Sequence, residues 1–282
     1  MLRFAPRIVL VVLCVAAIAP RADAGLVIEV DFSGDSQYQA AFDRAAMTWQ
    51  SLLVGYQDGF ILNTSQGSSA THNQALSNVF IDASVEYIDG SGSVLGSAGP
   101  TAIGVDSSGF TLATDGLMRF DSADIGGLSE SQIDSLILHE MAHVLGFGTL
   151  WTSNGVYVNG SGEFTGANAT AAWQSEFGQV GTPDVELGGG AGTANGHWNE
   201  PDGGGALSGI TDAMGRDLTF ELMTGWLNPG SFISEMTVAS FRDIGFSAQA
   251  TSVPEPAAAG WMSAVTIVIV GVRRRQRRLR TE

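Results

Sequence analysis

The chain of 282 residues carries 13 basic and 29 acidic side chains, but three of the basic residues fall before residue 25 and six after residue 252. Residues 25–252 therefore hold Arg44, Arg119, Arg216 and Arg242 against 26 acidic residues, a net charge near −22 that excludes nucleic acid and anionic membrane surfaces as partners of this region. The single cysteine, Cys14, lies outside it, so the region has no disulfide, no thiol nucleophile and no cysteine to hold a metal. The acidic excess suits solubility outside the cell and leaves room for calcium, for which no ligand can be assigned.

Residues 1–24 begin with Arg3 and Arg7, continue through an apolar run of 12 residues from Ile8 to Ala19, and close on Ala22-Asp23-Ala24. This is the order of a secretory signal, with Gly25 as the mature start. The run is too short to favour a membrane span. The 228 residues from 25 to 252 then suffice for one domain with a sizeable core.

Residues 26–32 alternate like a strand and end at Ser33-Gly34. Residues 38–54 place Phe42, Ala45, Ala46, Trp49, Leu52 and Leu53 at helical spacing, so a helix should lay one face on a sheet. A polar stretch over 55–78 contains His72, and strands are predicted over 79–88, 101–106 and 117–121. Next comes Ser129-Glu130-Ser131-Gln132, a capping box with Ser129 as N-cap and Gln132 reaching back from N3. Ile133, Leu136, Ile137, Met141, Val144 and Leu145 form the buried stripe of that helix, and Gly146 supplies the left-handed residue that ends it. Residues 148–215 read as mostly irregular, with 188–192 the most flexible part; so long a loop belongs to function, such as a cleft wall. A last helix is predicted over 237–244, and no internal repeat is visible. Strand, helix and strand order together mark an α/β domain.

Within the capped helix, His139 and His143 lie one turn apart on one face, where both imidazoles reach one metal ion with Glu140 beside them. The helix is apolar on both sides of this motif, which argues against exposed histidines. A hydrolytic zinc takes three protein ligands and keeps an open position. His72 reads as a solvated loop residue, which makes His197, 54 residues after His143, the preferred third ligand. Glu200 and Asp202 are the carboxylate alternatives.

At the far end, Val253-Pro254-Glu255-Pro256 precedes 16 uncharged residues, 257–272, and then Arg273, Arg274, Arg275, Arg277, Arg278 and Arg280. The stretch is slightly short for a spanning helix, although flanking arginines can snorkel on the cytoplasmic side. These parts resemble the PEP-CTERM sorting signal of Gram-negative bacteria. The resemblance implies export to the cell envelope, cell surface or extracellular matrix, recognition by exosortase-type machinery, and membrane contact through this segment. A plain single-pass anchor is the alternative.

His139-Glu140-Met141-Ala142-His143-Val144-Leu145-Gly146-Phe147, a distant Gly196-His197-Trp198 and Glu221-Leu222-Met223-Thr224-Gly225 together resemble the leishmanolysin-like metzincins, over residues 115–247. That family inserts a long segment between the glycine turn and the third histidine. The resemblance implies a zincin-like fold: a twisted mixed sheet with two long helices in an N-terminal subdomain to about residue 146, an active-site cleft, and an irregular C-terminal subdomain, about 147–250, with a methionine turn at Met223 and a final helix. It also implies one catalytic Zn2+ held by His139, His143 and His197, with Glu140 as general base, Met223 as an apolar floor, and a monomer acting on protein or peptide substrates. Two departures stand out. The compact metzincin pattern would put its third ligand at residue 149, here Thr149, and no tyrosine follows Met223, Trp226 standing in that neighbourhood. The strand over 117–121 is expected to offer an edge to an extended peptide. The contrasting reading is a non-proteolytic surface or matrix protein that keeps a zincin fold.

Overall fold

The computed structural model describes residues 25–57, 61–62, 75–76, 78–201 and 205–249. All of them lie in the first of two compact units, Met1–Thr251, the second being Ser252–Glu282. The readings of residues 1–24 and 253–282, of His72 and of Asp202 fall outside the described residues.

Alternation makes Val27–Ser33 a strand, β1, with Ile28 buried between exposed Val27 and Glu29. A 3-10 turn, Ser36–Tyr38, is capped by the Asp35 carboxylate and leads into α1, Gln39–Leu52, whose buried face carries Phe42, Ala45, Ala46 and Trp49. The chain then extends as β2, Leu53–Tyr56, and a short antiparallel pair follows, β3 at Ile61–Leu62 and β4 at Ala75–Leu76. Three longer strands come next: β5, Asn78–Glu86; β6, Gly96–Val105; and β7, Thr111–Asp121. The helix α2, Glu130–Leu145, completes the first half; α3, Ala167–Glu176, α4, Glu235–Asp243, and β8, Phe246–Ala248, belong to the second.

The fold is mixed α/β with a mixed sheet. Its four principal strands run in the order β1-β5-β7-β6, with β1, β5 and β7 parallel and β6 antiparallel to β7. One face, built from Ile28, Val79, Ile81, Ala83, Met118 and Phe120, is buried beneath α1 and α2. Removing the larger of these side chains from water stabilises the fold by about 1.5–3 kcal/mol each. Gly116 lies under α2, where any Cβ would overlap the Val144 side chain. Trp49 ties α1 to α2 by donating its indole N–H to the Leu138 carbonyl at 2.9 Å, and Arg44 pairs with Asp134 at 2.6 Å.

The second half has little regular structure and is held by side chains. The α3 and α4 helices cap each other: Asp243, at the end of α4, accepts from Asn168 N and Ala169 N, and Glu176, at the end of α3, accepts from Glu235 N and Met236 N. Each carboxylate thereby meets the positive end of the opposite helix. Phe147, Trp151, Phe164 and Trp198 form an aromatic cluster with ring centroids 4.6–5.4 Å apart.

Several elements differ from the sequence reading. The helix expected over 38–54 stops at Leu52, because Leu53–Tyr56 pairs with β8 at the far end of the domain. The strand expected over 101–106 begins at Gly96, since its Gly/Ser stretch joins the ladder with β7, and the pairing shifts around Pro100, which has no N–H to donate. The expected edge is corrected: residues 117–121 belong to β7, which is flanked on both sides, and the edge strands of the sheet are β1 and β6. The segment 148–215 contains a helix, α3, and the last helix begins at Glu235. Among the described residues, no helix is long and apolar enough to cross a membrane.

Candidate metal centre

The spacing of His139 and His143 is set by α2. Ser129 accepts from Gln132 N while Gln132 Oε1 accepts from Ser129 N at 3.1 Å, closing the capping box, and Gly146 at φ +114° ends the helix. Phe147 N then donates back to the Ala142 carbonyl at 2.9 Å. Thr149 donates its hydroxyl to the His143 carbonyl at 2.7 Å. The residue that a compact metzincin pattern would make a ligand is therefore a helix cap.

His197 completes the group. Its Nε2 lies 3.0 Å from Nε2 of His139 and 3.1 Å from Nε2 of His143, which are themselves 3.0 Å apart. Each ring presents its other nitrogen to a backbone carbonyl: His139 Nδ1 to Leu222 O at 2.7 Å, His143 Nδ1 to Phe147 O at 2.9 Å, His197 Nδ1 to Thr193 O at 2.8 Å. A carbonyl can only accept, so each neutral imidazole carries its proton on Nδ1 and turns a bare lone pair toward the other two. Three lone pairs this close repel unless a cation lies among them. The triangle is small enough for one ion to reach all three at the Zn–N length of about 2.0–2.1 Å. Burial, reinforced by the neighbouring histidine, lowers the pKa of each ring to about 3, so all three are neutral at neutral pH, the form that can donate a lone pair to a metal. These three residues are close enough together to bind a metal ion.

How a loop returns His197 is visible in its glycines. Gly148, at φ +71°, lies against Gly196 so closely that a Cβ there would stand 2.5 Å from the Gly196 carbonyl oxygen and 2.7 Å from its Cα. The two ends of the excursion thus touch backbone to backbone, immediately before His197. Asn195 takes a left-handed conformation, φ +67°, and its side chain accepts from Tyr157 OH at 2.6 Å and Gly160 N at 2.8 Å. Thr193, whose carbonyl orients His197, is wedged against Gly225, where any Cβ would overlap its methyl group.

Glu140 is buried, and desolvation raises its carboxyl to about 8. Its side chain rests against Gly96 of β6, where a Cβ would lie 2.9 Å from Oε1 and 3.1 Å from Cγ. Met223 is fully buried in a turn whose preceding residue, Leu222, gives its carbonyl to His139. Glu221 anchors that turn, accepting from Met223 N at 2.5 Å and from Thr237 Oγ1 at 2.6 Å, while Trp198 Nε1 donates to Thr237 Oγ1 at 2.8 Å. Of the carboxylate alternatives, Glu200 is buried but stands outside the histidine group, accepting from Gly225 N at 2.9 Å. Trp226 is 47 % exposed.

Gly96, Gly148 and Asn195 shape this centre without having been singled out in the sequence, and Glu221 entered only as part of the methionine-turn stretch, with no role of its own. The Asn195-Gly196 pair was a visible turn signal, whereas nothing local marks a glycine that makes room for a distant residue. The chain matches none of the protein-family models scanned and none of the curated proteins searched.

Proposed function

We propose that this protein is an exported zinc endopeptidase of the leishmanolysin-like metzincin type. The observation that carries the reading is the convergence of three Nδ1-tethered imidazoles beside a buried glutamate, because a purely structural zinc has no use for Glu140. Residues 1–24 and 253–282 support export and sorting in a Gram-negative envelope by their order of charge and apolar character.

Zinc in such a site polarises a carbonyl and lowers the pKa of a bound water toward about 7. His139, His143 and His197 would hold the ion as neutral donors, their rings kept from turning away by the backbone carbonyls that accept from Nδ1. Glu140 takes the proton from the attacking water and passes it to the leaving amine. Burial raises its pKa, and a cation held by the three histidines would oppose that by favouring the ionised form. An extended peptide would pair along β6, the edge strand on the side of Glu140, which brings its backbone past Gly96 and so past the general base. Met223 is an apolar floor. Calcium has no assigned ligands.

The test is hydrolysis of unfolded casein by the full-length purified protein, with its zinc content measured. Wild type should bind one zinc per chain and cleave; Glu140→Ala should retain zinc and lose activity by about 10²–10⁴-fold. No zinc, or equal activity in both proteins, would refute the reading. Zinc without cleavage of any peptide library would leave the non-proteolytic zincin-like protein in its place.

A further inference from the structure

We propose that Glu221 is a positioning residue of the metal centre: its side chain fixes the turn 221–225 against the start of α4, and through two consecutive carbonyls of that turn it holds His139 and His197 in register with each other. The proposal rests on the reading of the three histidines as a metal centre and not on peptide hydrolysis.

Glu221 is 1 % exposed, and both of its oxygens are engaged. Oε2 accepts from Met223 N at 2.5 Å, and Oε1 accepts from Ser234 N at 3.0 Å, Ser234 Oγ at 2.9 Å and Thr237 Oγ1 at 2.6 Å. Ser234 is the N-cap of α4, so the side chain joins the turn to the positive end of that helix. Two of the four donors are backbone N–H groups, one on each oxygen, and neither can accept in return. Serving both takes a side chain with two acceptor oxygens at this length. A glutamine would set its NH2 against one of the two N–H groups, and an aspartate is one methylene shorter. A buried backbone donor left facing another donor costs about 1–3 kcal/mol, so the turn would shift to relieve it.

What this clamp holds is the backbone of Leu222 and Met223. Leu222 O accepts from His139 Nδ1 at 2.7 Å, and Met223 O accepts from Trp198 N at 3.0 Å, one residue after His197. Trp198 is tied a second time, its Nε1 donating at 2.8 Å to Thr237 Oγ1, the hydroxyl that itself donates to Glu221. Leu222 N donates to Phe232 O at 2.8 Å and the Thr224 hydroxyl to Glu221 O at 2.9 Å, closing the turn on either side of Leu222. One side chain thus reaches the helical His139 and the loop-borne His197 together. His143 stands outside this network, its Nδ1 meeting Phe147 O just beyond its own helix. The carbonyl facing Nδ1 decides which ring nitrogen is bare, so a shift of Leu222 O frees His139 to turn or to change tautomer. An anchor that served stability alone would show its loss in melting and leave the rings as they were.

The test uses the full-length protein carrying isotope-labelled histidine, first without metal and then titrated with Co2+; neither readout needs peptide hydrolysis. In the metal-free protein, nitrogen NMR should show His139 and His143 each with its proton on Nδ1, the signals being identified by their loss in His139→Ala and His143→Ala. In Glu221→Gln the His139 ring should lose this single tautomer while His143 keeps it, and Co2+ affinity should fall at least about 10-fold. Asp243→Asn, which weakens the cap at the other end of α4, calibrates a plain loss of stability: it should lower the melting temperature and leave both rings and the affinity unchanged. Thr237→Val removes one donor from Oε1 and should move the His139 signal in the same direction, and Thr237→Ser, which keeps the hydroxyl, should restore it. That milder pair decides the matter if Glu221→Gln does not fold. A folded Glu221→Gln with wild-type rings and affinity, no effect of Thr237→Val, or an equal effect of Asp243→Asn would each overturn the proposal. A wild type that binds no Co2+ would overturn the metal centre itself and the proposal with it.

Discussion

His139 and His143 owe their spacing to a helix, whereas His197 owes its place to a loop that leaves the helix at Gly148 and returns to touch it at Gly196. The helical pair is supported redundantly, by a capping box, a buried stripe and a left-handed stop, so that no one of these fixes the distance between the two rings. His197 hangs on a few close contacts without a hydrophobic stripe of its own. A defect in the helix should therefore lower stability while sparing the geometry of the site, whereas a defect in the loop should displace His197.

The sharpest way to break this contrast is Gly148→Ala. Its Cβ meets backbone rather than a flexible side chain, and φ +71° disfavours any L side chain, so the Gly196 segment must move. Zinc affinity, measured by competition with a chelator, should fall at least about 10-fold, with a loss of about 1–3 kcal/mol in unfolding free energy. Unchanged affinity would detach His197 from the glycine contact.

Gly96→Ala should have a more selective effect, with a smaller loss of stability. The atoms it meets first are the carboxyl end of Glu140, which can swing away at little cost to folding. A displacement of about 1 Å nevertheless costs on the order of 10²-fold in rate when it misplaces a reacting group. The expected result is a fall in kcat with zinc content and melting temperature near those of wild type. Loss of zinc instead would mean that β6 supports the ligands and not the base.

Ser129→Ala should have the least effect at the site. It removes one cap bond at the far end of α2, for about 1 kcal/mol of stability. Zinc affinity should not change measurably. A large change in affinity would show that the helix is less redundant than its contacts indicate.

The same contrast explains what could be read in the sequence. The α2 helix, its cap, its stripe and Gly146 were legible because every signal lies within one turn of what it specifies. His197 was legible as a candidate because histidines are few, but its route back was not, since the Gly148–Gly196 contact joins residues far apart in sequence. The α3 helix escaped for a related reason: its N-cap, Gly166, makes no side-chain bond, and the cap comes from Asp243 at the end of α4. The β2–β8 pair and the place of β7 inside the sheet depend on partners that local alternation cannot name.

X-ray absorption at the zinc edge of the full-length protein, wild type beside His197→Ala, tests the central claim most directly. Wild type should show three imidazole nitrogens at about 2.0–2.1 Å and one further light-atom donor. The variant should show one imidazole fewer. An equal number of imidazoles in both proteins, or a wild-type zinc bound by only two, would contradict the account.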